Sequence, residues 1–355
     1  MKRFLPFIFL LFSISAFAQK GATSAQTLRL ARATYEQGRL HEIPTQLRDT
    51  VISGMTKQEK FEAYKILCLS YIYLEEPEKA DEAMLNILNT DHYFEINDAV
   101  DPAEFVALYY TFRRDPIYRI GAKLGGNFSR PNVSESVSAV ELDNSSKYKT
   151  SFGLQFGVAA EFPVFKKLTL HGELLYLQHR FQIDQKVTRG VDIETGESLV
   201  NEFTGTESQS WISLPLSVEY SYLNPTSKLH KKFRPYVAGG VVVSYLTNSK
   251  ITAERIREGE SSIPEAGIDV EREKINLSLM ISSGIKIKMA SGLLVVDVRY
   301  IHGLTNVSSS ETAFSNQQLL WEYGYADPVF KMSSFGATLS YIQDIFKPKK
   351  LRRKK

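Results

Sequence analysis

The chain has 355 residues, 43% hydrophobic and 23% charged, which is the composition of a folded protein with room for two domains and excludes wholesale disorder. Lys and Arg number 43 against 40 Asp and Glu, and the net charge of +3 is too small and too evenly spread for a chain that neutralises many phosphates, so nucleic acid is excluded as a partner. After the N-terminus no stretch approaches the roughly 18 uncharged apolar residues that a membrane-spanning helix needs, which excludes a helical membrane protein.

Lys2 and Arg3 precede an apolar run from Phe4 to Phe12, followed by Ala16-Phe17-Ala18. Charged start, short apolar core and small residues before a cut predict a secretory signal peptide over 1–18, cleaved between Ala18 and Gln19. The core is too short for an anchor and no Cys follows the cut to carry a lipid. Cys68 is the single cysteine, so no intramolecular disulfide can form; a buried thiol is the expectation.

Residues 19–115 read as a small all-α domain. Leu28, Leu30, Ala31, Tyr35, Ile43 and Leu47, then Phe61, Tyr64, Leu67 and Tyr71, recur at three and four. Tyr64, Leu67, Tyr71, Ala80, Met84 and Ile87 occupy the spacing of a tetratricopeptide-like helix pair, with Tyr35, Gly38 and Leu40 as a degenerate earlier copy. The Trp and the key Gly of that signature are missing, so a short repeat-like bundle is the description the residues support. Such bundles dock other proteins; the alternative is a helical plug or spacer. Asp101-Pro102-Ala103-Glu104 predicts a capped helix start, with the helix running to Arg114 and stopped by Asp115-Pro116.

From residue 116 to 346 the period drops to two, and the second half of the chain is weighted toward Tyr and Phe, a bias that suits lipid-facing strands. Ile212, Leu214, Leu216, Val218, Tyr220 and Tyr222 share one face, with Ser213, Pro215, Ser217, Glu219 and Ser221 on the other. The same alternation recurs over 118–128, 154–162, 168–176, 237–245, 275–287, 294–300 and 335–341, making eight segments. A soluble sandwich and a membrane barrel both alternate, so the joints decide. They are short at Phe165–Lys167 and Ala290–Gly292 and modest at Asn224–Lys231. They are long and polar near Ser129–Lys149, Asp184–Glu207, Thr247–Glu273 and Asn306–Lys331. Strict alternation of short and long joints predicts an eight-stranded antiparallel transmembrane β-barrel with both termini in the periplasm and the protein in the cell outer membrane, among outer-membrane lipid.

At this point the chain resembles the porin-like outer-membrane β-barrel proteins of Bacteroidota. The residues that carry the resemblance are the glycine-rich first strand Gly121 to Gly126, Ile212-Ser213-Leu214-Pro215-Leu216, Arg234-Pro235-Tyr236-Val237-Ala238-Gly239-Gly240 and Val296-Asp297-Val298-Arg299-Tyr300. It covers about two thirds of the chain. The family is defined by fold rather than by one activity, so the resemblance implies no catalytic residues; the helical region is an addition to the family pattern.

Alternation assigns Arg119, Lys123, Glu161, Glu173, Glu219, Lys286, Lys288, Asp297 and Arg299 to the interior, a nearly balanced set of charges. Eight strands leave a lumen that side chains fill, so this set predicts a packed ion-pair network rather than a pore. His171 and His179 share that inner face with Glu173 between them, but no local motif marks a nucleophile. The six His, at 41, 92, 171, 179, 230 and 302, show no ligand spacing. No enzyme activity, cofactor or metal is expected. The basic tail 347–355 is expected to be a solvated end, with contact to anionic periplasmic surfaces as the alternative. The whole predicts a non-enzymatic outer-membrane barrel anchoring a periplasmic helical domain that docks a periplasmic or outer-membrane protein, within an envelope or secretion assembly. The alternative is a small-solute pore, adhesin or lipid-modifying barrel enzyme.

Overall fold

In a computed structural model the described residues are 24–136, 145–191, 195, 198–223, 232–254, 265–289, 291–317, 319–320 and 325–351. The expected cleavage site at Ala18 and Gln19 lies outside them, as does the tail from 352. The chain divides into two units: Ile117–Ile345, and residues up to Pro116 together with Phe346–Lys355.

The helical unit contains α1 (residues 24–36), α2 (Ile43–Gln46), α3 (Asp49–Ile52), α4 (Lys57–Tyr73), α5 (Pro77–Thr90) and α6 (Ala103–Tyr109). Thr56 starts α4 with a reciprocal cap: its hydroxyl accepts from the Glu59 N–H while the Glu59 carboxylate accepts from the Thr56 N–H. Pro77 opens α5, and Glu75, at φ 59, turns the chain between the two helices. Their facing sides bury Ala63, Leu67, Cys68, Ala83, Met84 and Ile87 with Phe105 and Tyr109 of α6. Burial pushes the Cys68 thiol up to about 12, so it carries no thiolate near neutrality.

Two expectations change here. The α6 helix ends at Tyr109, not Arg114, and Asp101 does not cap it. The Asp101 carboxylate is taken by the Lys65 ammonium at 2.6 Å and the Asn97 N–H at 3.0 Å. The chain beyond α6 leaves the helix because residues 111–113 pair with the C-terminal segment. Leu351 N–H donates to Thr111 O, Arg113 N–H donates to Lys349 O, and Phe112 bridges to Lys350. Phe346 stacks on His92 at 5.1 Å and meets Tyr93 edge-on, and Lys350 pairs with Asp81. The first half of the basic tail is therefore an ordered part of the helical unit, although Lys347, Lys349 and Lys350 keep exposed side chains.

The second unit is one antiparallel ring. Its strands are β1 (Tyr118–Glu135), β2 (Ser145–Pro163), β3 (Leu168–Val191), β4 (Ser198–Ser221), β5 (Phe233–Glu254), β7 (Ile275–Lys288), β8 (Gly292–Gly303) and β9 (Val329–Ile345), with a two-residue β6 (Ala266–Gly267) beside β5. Neighbours pair in chain order, β5 pairs β7, and β1 pairs β9, which closes eight long strands into a barrel without edges. Outward residues are apolar and exposed, as Leu124, Val158, Leu214, Leu216, Val241, Ile281, Val298 and Leu339 are. Ile212 to Tyr222 spans about 33 Å of strand at 3.3 Å per residue. Tilted by about 40°, that is about 25 Å of height, the thickness of an apolar membrane band. Gly157 is required where β3 approaches closely: a Cβ there would lie 2.0 Å from the Leu174 carbonyl oxygen.

The long joints differ from expectation. The ladder runs to Glu135 and resumes at Ser145, and it runs to Val191 and resumes at Ser198. Much of the two polar segments Ser129–Lys149 and Asp184–Glu207 is therefore strand, not loop. Hydrogen bonding continues past the apolar band, where outward residues turn polar and the alternation that revealed the strands fades.

Because Cys68 is the single cysteine and is buried, its labelling reports opening of the helical unit. In the full protein, Phe346→Ala should raise the rate of thiol labelling several-fold, as expected for losing ring contacts worth about 1 kcal/mol. Asp101→Asn should raise it about tenfold at neutral pH, about 1.4 kcal/mol for a lost charge-assisted bond. Although burial opposes it, the Lys65 ammonium and the Asn97 N–H hold the Asp101 carboxyl below its ordinary value. The native contribution is thus full above the unfolded value near 4 and is lost as pH falls through the lower folded one. With dithiodipyridine, which reacts in acid, the gap between native and variant should narrow over that fall.

Candidate functional site

The register sets the interior. Arg119 stands opposite Glu161, and Glu161 opposite His171, so three strands bring one charged row to the inner face. Glu219 on β4 and Lys286 on β7 complete a layer near the end where the barrel begins and ends. Lys286 Nζ donates to Glu161 at 2.8 Å and lies 2.7 Å from Glu219 Oε2. Arg119 donates to Glu161 at 3.2 Å and to Asp344 at 2.6 Å. His171 Nε2 lies 2.6 Å from Glu219 Oε2 and 3.7 Å from Glu161 Oε1.

A second layer lies farther along the same strands. Lys123 Nζ donates to Glu173 at 2.7 Å and to Asp297 at 3.0 Å, and Arg299 donates to the same two carboxylates, at 2.8 Å to Glu173. Tyr236, with its ring 5.2 Å below the Lys286 ammonium and its hydroxyl 3.4 Å from Asp297, links the layers. Eight of the nine charges assigned to the interior, namely Arg119, Lys123, Glu161, Glu173, Glu219, Lys286, Asp297 and Arg299, are buried and joined in these two layers. Lys288, at the end of β7, is half-buried.

Glu161, His171 and Glu219 bring three ligand-type atoms within 4.8 Å of one another, a convergence that the wide spacing of the residues conceals. The donor set does not suit a divalent ion, because the Lys286 ammonium already bonds to both carboxylates and Arg119 to one of them. The cation of this site is a lysine. His179 is buried against the Ser129 hydroxyl at 2.6 Å, and that hydroxyl donates to Asn127 Oδ1. No carboxylate completes a nucleophilic arrangement there among the described residues.

Beyond these layers the interior becomes apolar, which the alternation of the short segments did not reveal. Leu177, Phe181, Phe203, Trp211, Ile251, Val307, Phe330 and Met332 form a core inside the extended strands. Segments 265–274 and 304–317 join its wall: Glu273 N–H donates to Val307 O, and Val307 N–H to Phe330 O. At its centre Arg272 donates to Glu207 at 2.7 and 2.8 Å and pairs with Asp327, whose carboxylate also accepts from Tyr325. Burial opposes the Arg272 charge, but Asp327 and Glu207 overcome it and hold the guanidinium charged. Between this core and the charged layers a cavity of about 10 Å³ lies among His179, Trp211, Ser244, Asn276 and Met332, room for about one water.

A closed ring with an apolar outside and a charged inside is what a lipid-spanning strand protein requires. The outer membrane protein beta-barrel domain family matches residues 116–309. The chain belongs to that family. The barrel continues past the matched region to its last strand, β9. Among solved structures, Neisserial surface protein A is 10% identical over 64% of this chain and 97% of its own, with a TM-score of 0.31. The outer membrane protein OprG from Pseudomonas aeruginosa is 11% identical over 65% of this chain and 98% of its own, with a TM-score of 0.35. Ail, the attachment invasion locus protein of Yersinia pestis, is 12% identical over 63% and 98%, with a TM-score of 0.27. No protein with a curated description matches. No helix among the described residues is long and apolar enough to cross a membrane, and the chain crosses with strands.

Lys286→Met leaves Glu161 and Glu219 facing each other without their shared cation, so the barrel should lose about 3 to 5 kcal/mol. The temperature at which the folded, fast-migrating form disappears on a gel of unboiled samples should fall. Adding Glu161→Gln and Glu219→Gln to that variant should restore most of the loss.

Proposed function

We propose that this protein is a non-enzymatic outer-membrane anchor whose sealed barrel carries a helical domain in the periplasm, where that domain docks a protein partner of an envelope or secretion assembly. The observation that carries the reading is the filled lumen. Among the described residues, two cross-linked layers of charge and an apolar core fill the interior, and the cavity between them measures about 10 Å³. A barrel that conducts nothing serves as a platform, and this chain carries a second folded unit for the platform to hold. The helical unit has its own core and leaves Leu30, Tyr73 and Tyr110 exposed, side chains suited to a protein contact.

The reading includes three finer elements. Residues 1–18 are a signal peptide cleaved before Gln19; both chain ends face the periplasm, with the long joints outward; and the α4 and α5 hairpin serves as a tetratricopeptide-like docking element in a Bacteroidota-type barrel protein. Short joints at Phe165–Lys167 and near Ala290–Gly292 support the orientation, since tight turns sit on the periplasmic side of such barrels.

Photo-crosslinking groups at Leu30, Tyr73 and Tyr110 in living cells should give a discrete protein adduct, and groups at Thr206 and Ser208 on the far barrel rim should give none. Adducts from the rim alone would overturn the docking reading. In planar bilayers the full-length protein should give no conductance steps; regular steps would overturn the anchor reading independently.

A further inference from the structure

The outer face of the barrel changes character just past its apolar band, and does so unevenly. On β1 the outward series Ile120, Leu124 and Phe128 continues as Arg130. On β9, Leu339 and Phe335 are followed outward by Ser333 and Lys331, which stand opposite Arg130 and Asn132. On β3, Leu174 and Tyr176 are followed by Gln178 and Arg180. On β2 the register shifts between Ser151 and Gln155. Past the shift Thr150 pairs with the interior Phe181, so Lys149 and Lys147, opposite Gln182 and Asp184, face outward.

Five cations thus stand on four adjacent strands, β9, β1, β2 and β3. Lys149 is paired with Asp184 at 2.6 Å. Among the described residues no carboxylate lies within ion-pair distance of Arg130, Lys147, Arg180 or Lys331. The far side differs. At the same height β4 presents Ser210, Ser208 and Thr206, opposite Gln178, Arg180 and Gln182. The outward Lys250 of β5 is neutralised by Glu265 at 3.0 Å. Among the described residues the far side adds one exposed cation at this height, Lys274 just before β7, where the first side gathers five.

Side chains that point outward immediately beyond a lipid-covered band meet lipid head groups. The anionic group that membrane lipids present at that depth is phosphate, and arginine and lysine are its usual protein partners. We infer that the face formed by β9, β1, β2 and β3 binds a phosphorylated membrane lipid through Arg130, Lys147, Lys149, Arg180 and Lys331, holding it beside the barrel. The acyl chains would lie along Phe128, Phe152, Phe335 and Leu154, which are exposed directly below. The inference requires that the band faces lipid and does not depend on which leaflet the rim occupies.

The test uses the full-length protein in a neutral detergent, given a bis-phosphorylated glycolipid of the lipid A type or its dephosphorylated form, with retained lipid measured after washing. The phosphorylated form should be retained at least tenfold better, and added salt should release it. Substituting all five cations by Gln should lower retention about tenfold or more, whereas Lys250→Gln should leave it unchanged. Each variant must keep its mobility difference between unboiled and boiled samples. If the five-fold variant does not fold, Arg130→Gln and Arg180→Gln, singly and together, should each lower retention and do so cumulatively. Equal retention of the two glycolipids, or undiminished retention by variants that fold, would overturn the inference. Binding of inorganic phosphate as tight as that of the glycolipid would replace the lipid site with a soluble-anion site and overturn it too.

Discussion

Everything in the second unit follows from one constraint: no backbone amide may be left unpaired where there is no water. In hydrocarbon an unpaired N–H or C=O costs several kcal/mol, and a strand protein meets the demand only by closing its sheet. The pairing of β1 with β9 is that closure. Once the ring is shut, the period of two divides each strand between lipid and lumen, and the chemistry of each side is no longer free. The outward residues become Leu, Val, Ile, Phe and Tyr. The inward ones must fill a space only as wide as their own side chains.

The filling is graded along the barrel. Near the chain ends it is ionic, and the balance of signs is local as well as total: each carboxylate meets two cations or a cation and a histidine. Ion pairs in such a place are weak evidence of stability in themselves, since desolvation offsets much of their attraction. Their effect is on uniqueness. A one-residue slip would put Lys123 into lipid and Leu124 into the lumen on β1, or Arg299 into lipid and Val298 into the lumen on β8, so the charged layers exclude any register that exchanges the two faces. At the other end the filling is aromatic and aliphatic, with a single buried Arg272 pinned by two carboxylates, and the wall there includes chain that is not regular strand.

How much of this was legible in the sequence depended on contrast. Where outward Leu faced inward Ser or Glu, as over Ile212 to Tyr222, strand, face and register could all be read. Where both faces turned polar, as over Thr204 to Ser210, the strand continued but its signal did not. The charges Arg119 to Arg299 could be placed on the inner face by parity, but their grouping into two layers depends on which strands stand opposite, and no local pattern carries that. Glu207, Arg272 and Asp327 were missed because two of them lie in joints, where alternation says nothing. The Thr56 and Glu59 cap had a readable signal, a Thr followed three residues later by Glu ahead of an apolar run. Asp101 had the same kind of signal, yet Lys65, 36 positions away in the chain, outcompeted the helix end for its carboxylate.

The pairing of residues 346–351 with 111–113 makes the helical unit discontinuous, with the whole barrel inserted between its parts. Synthesis runs from the N-terminus, so the helices are made before the barrel and their partner segment after it. The interior of the helical unit can form early, but its edge at Phe112 and His92 must wait for the final strand and the few residues beyond it. A chain lacking Phe346 and the residues after it would leave that edge of the helical unit without its partner.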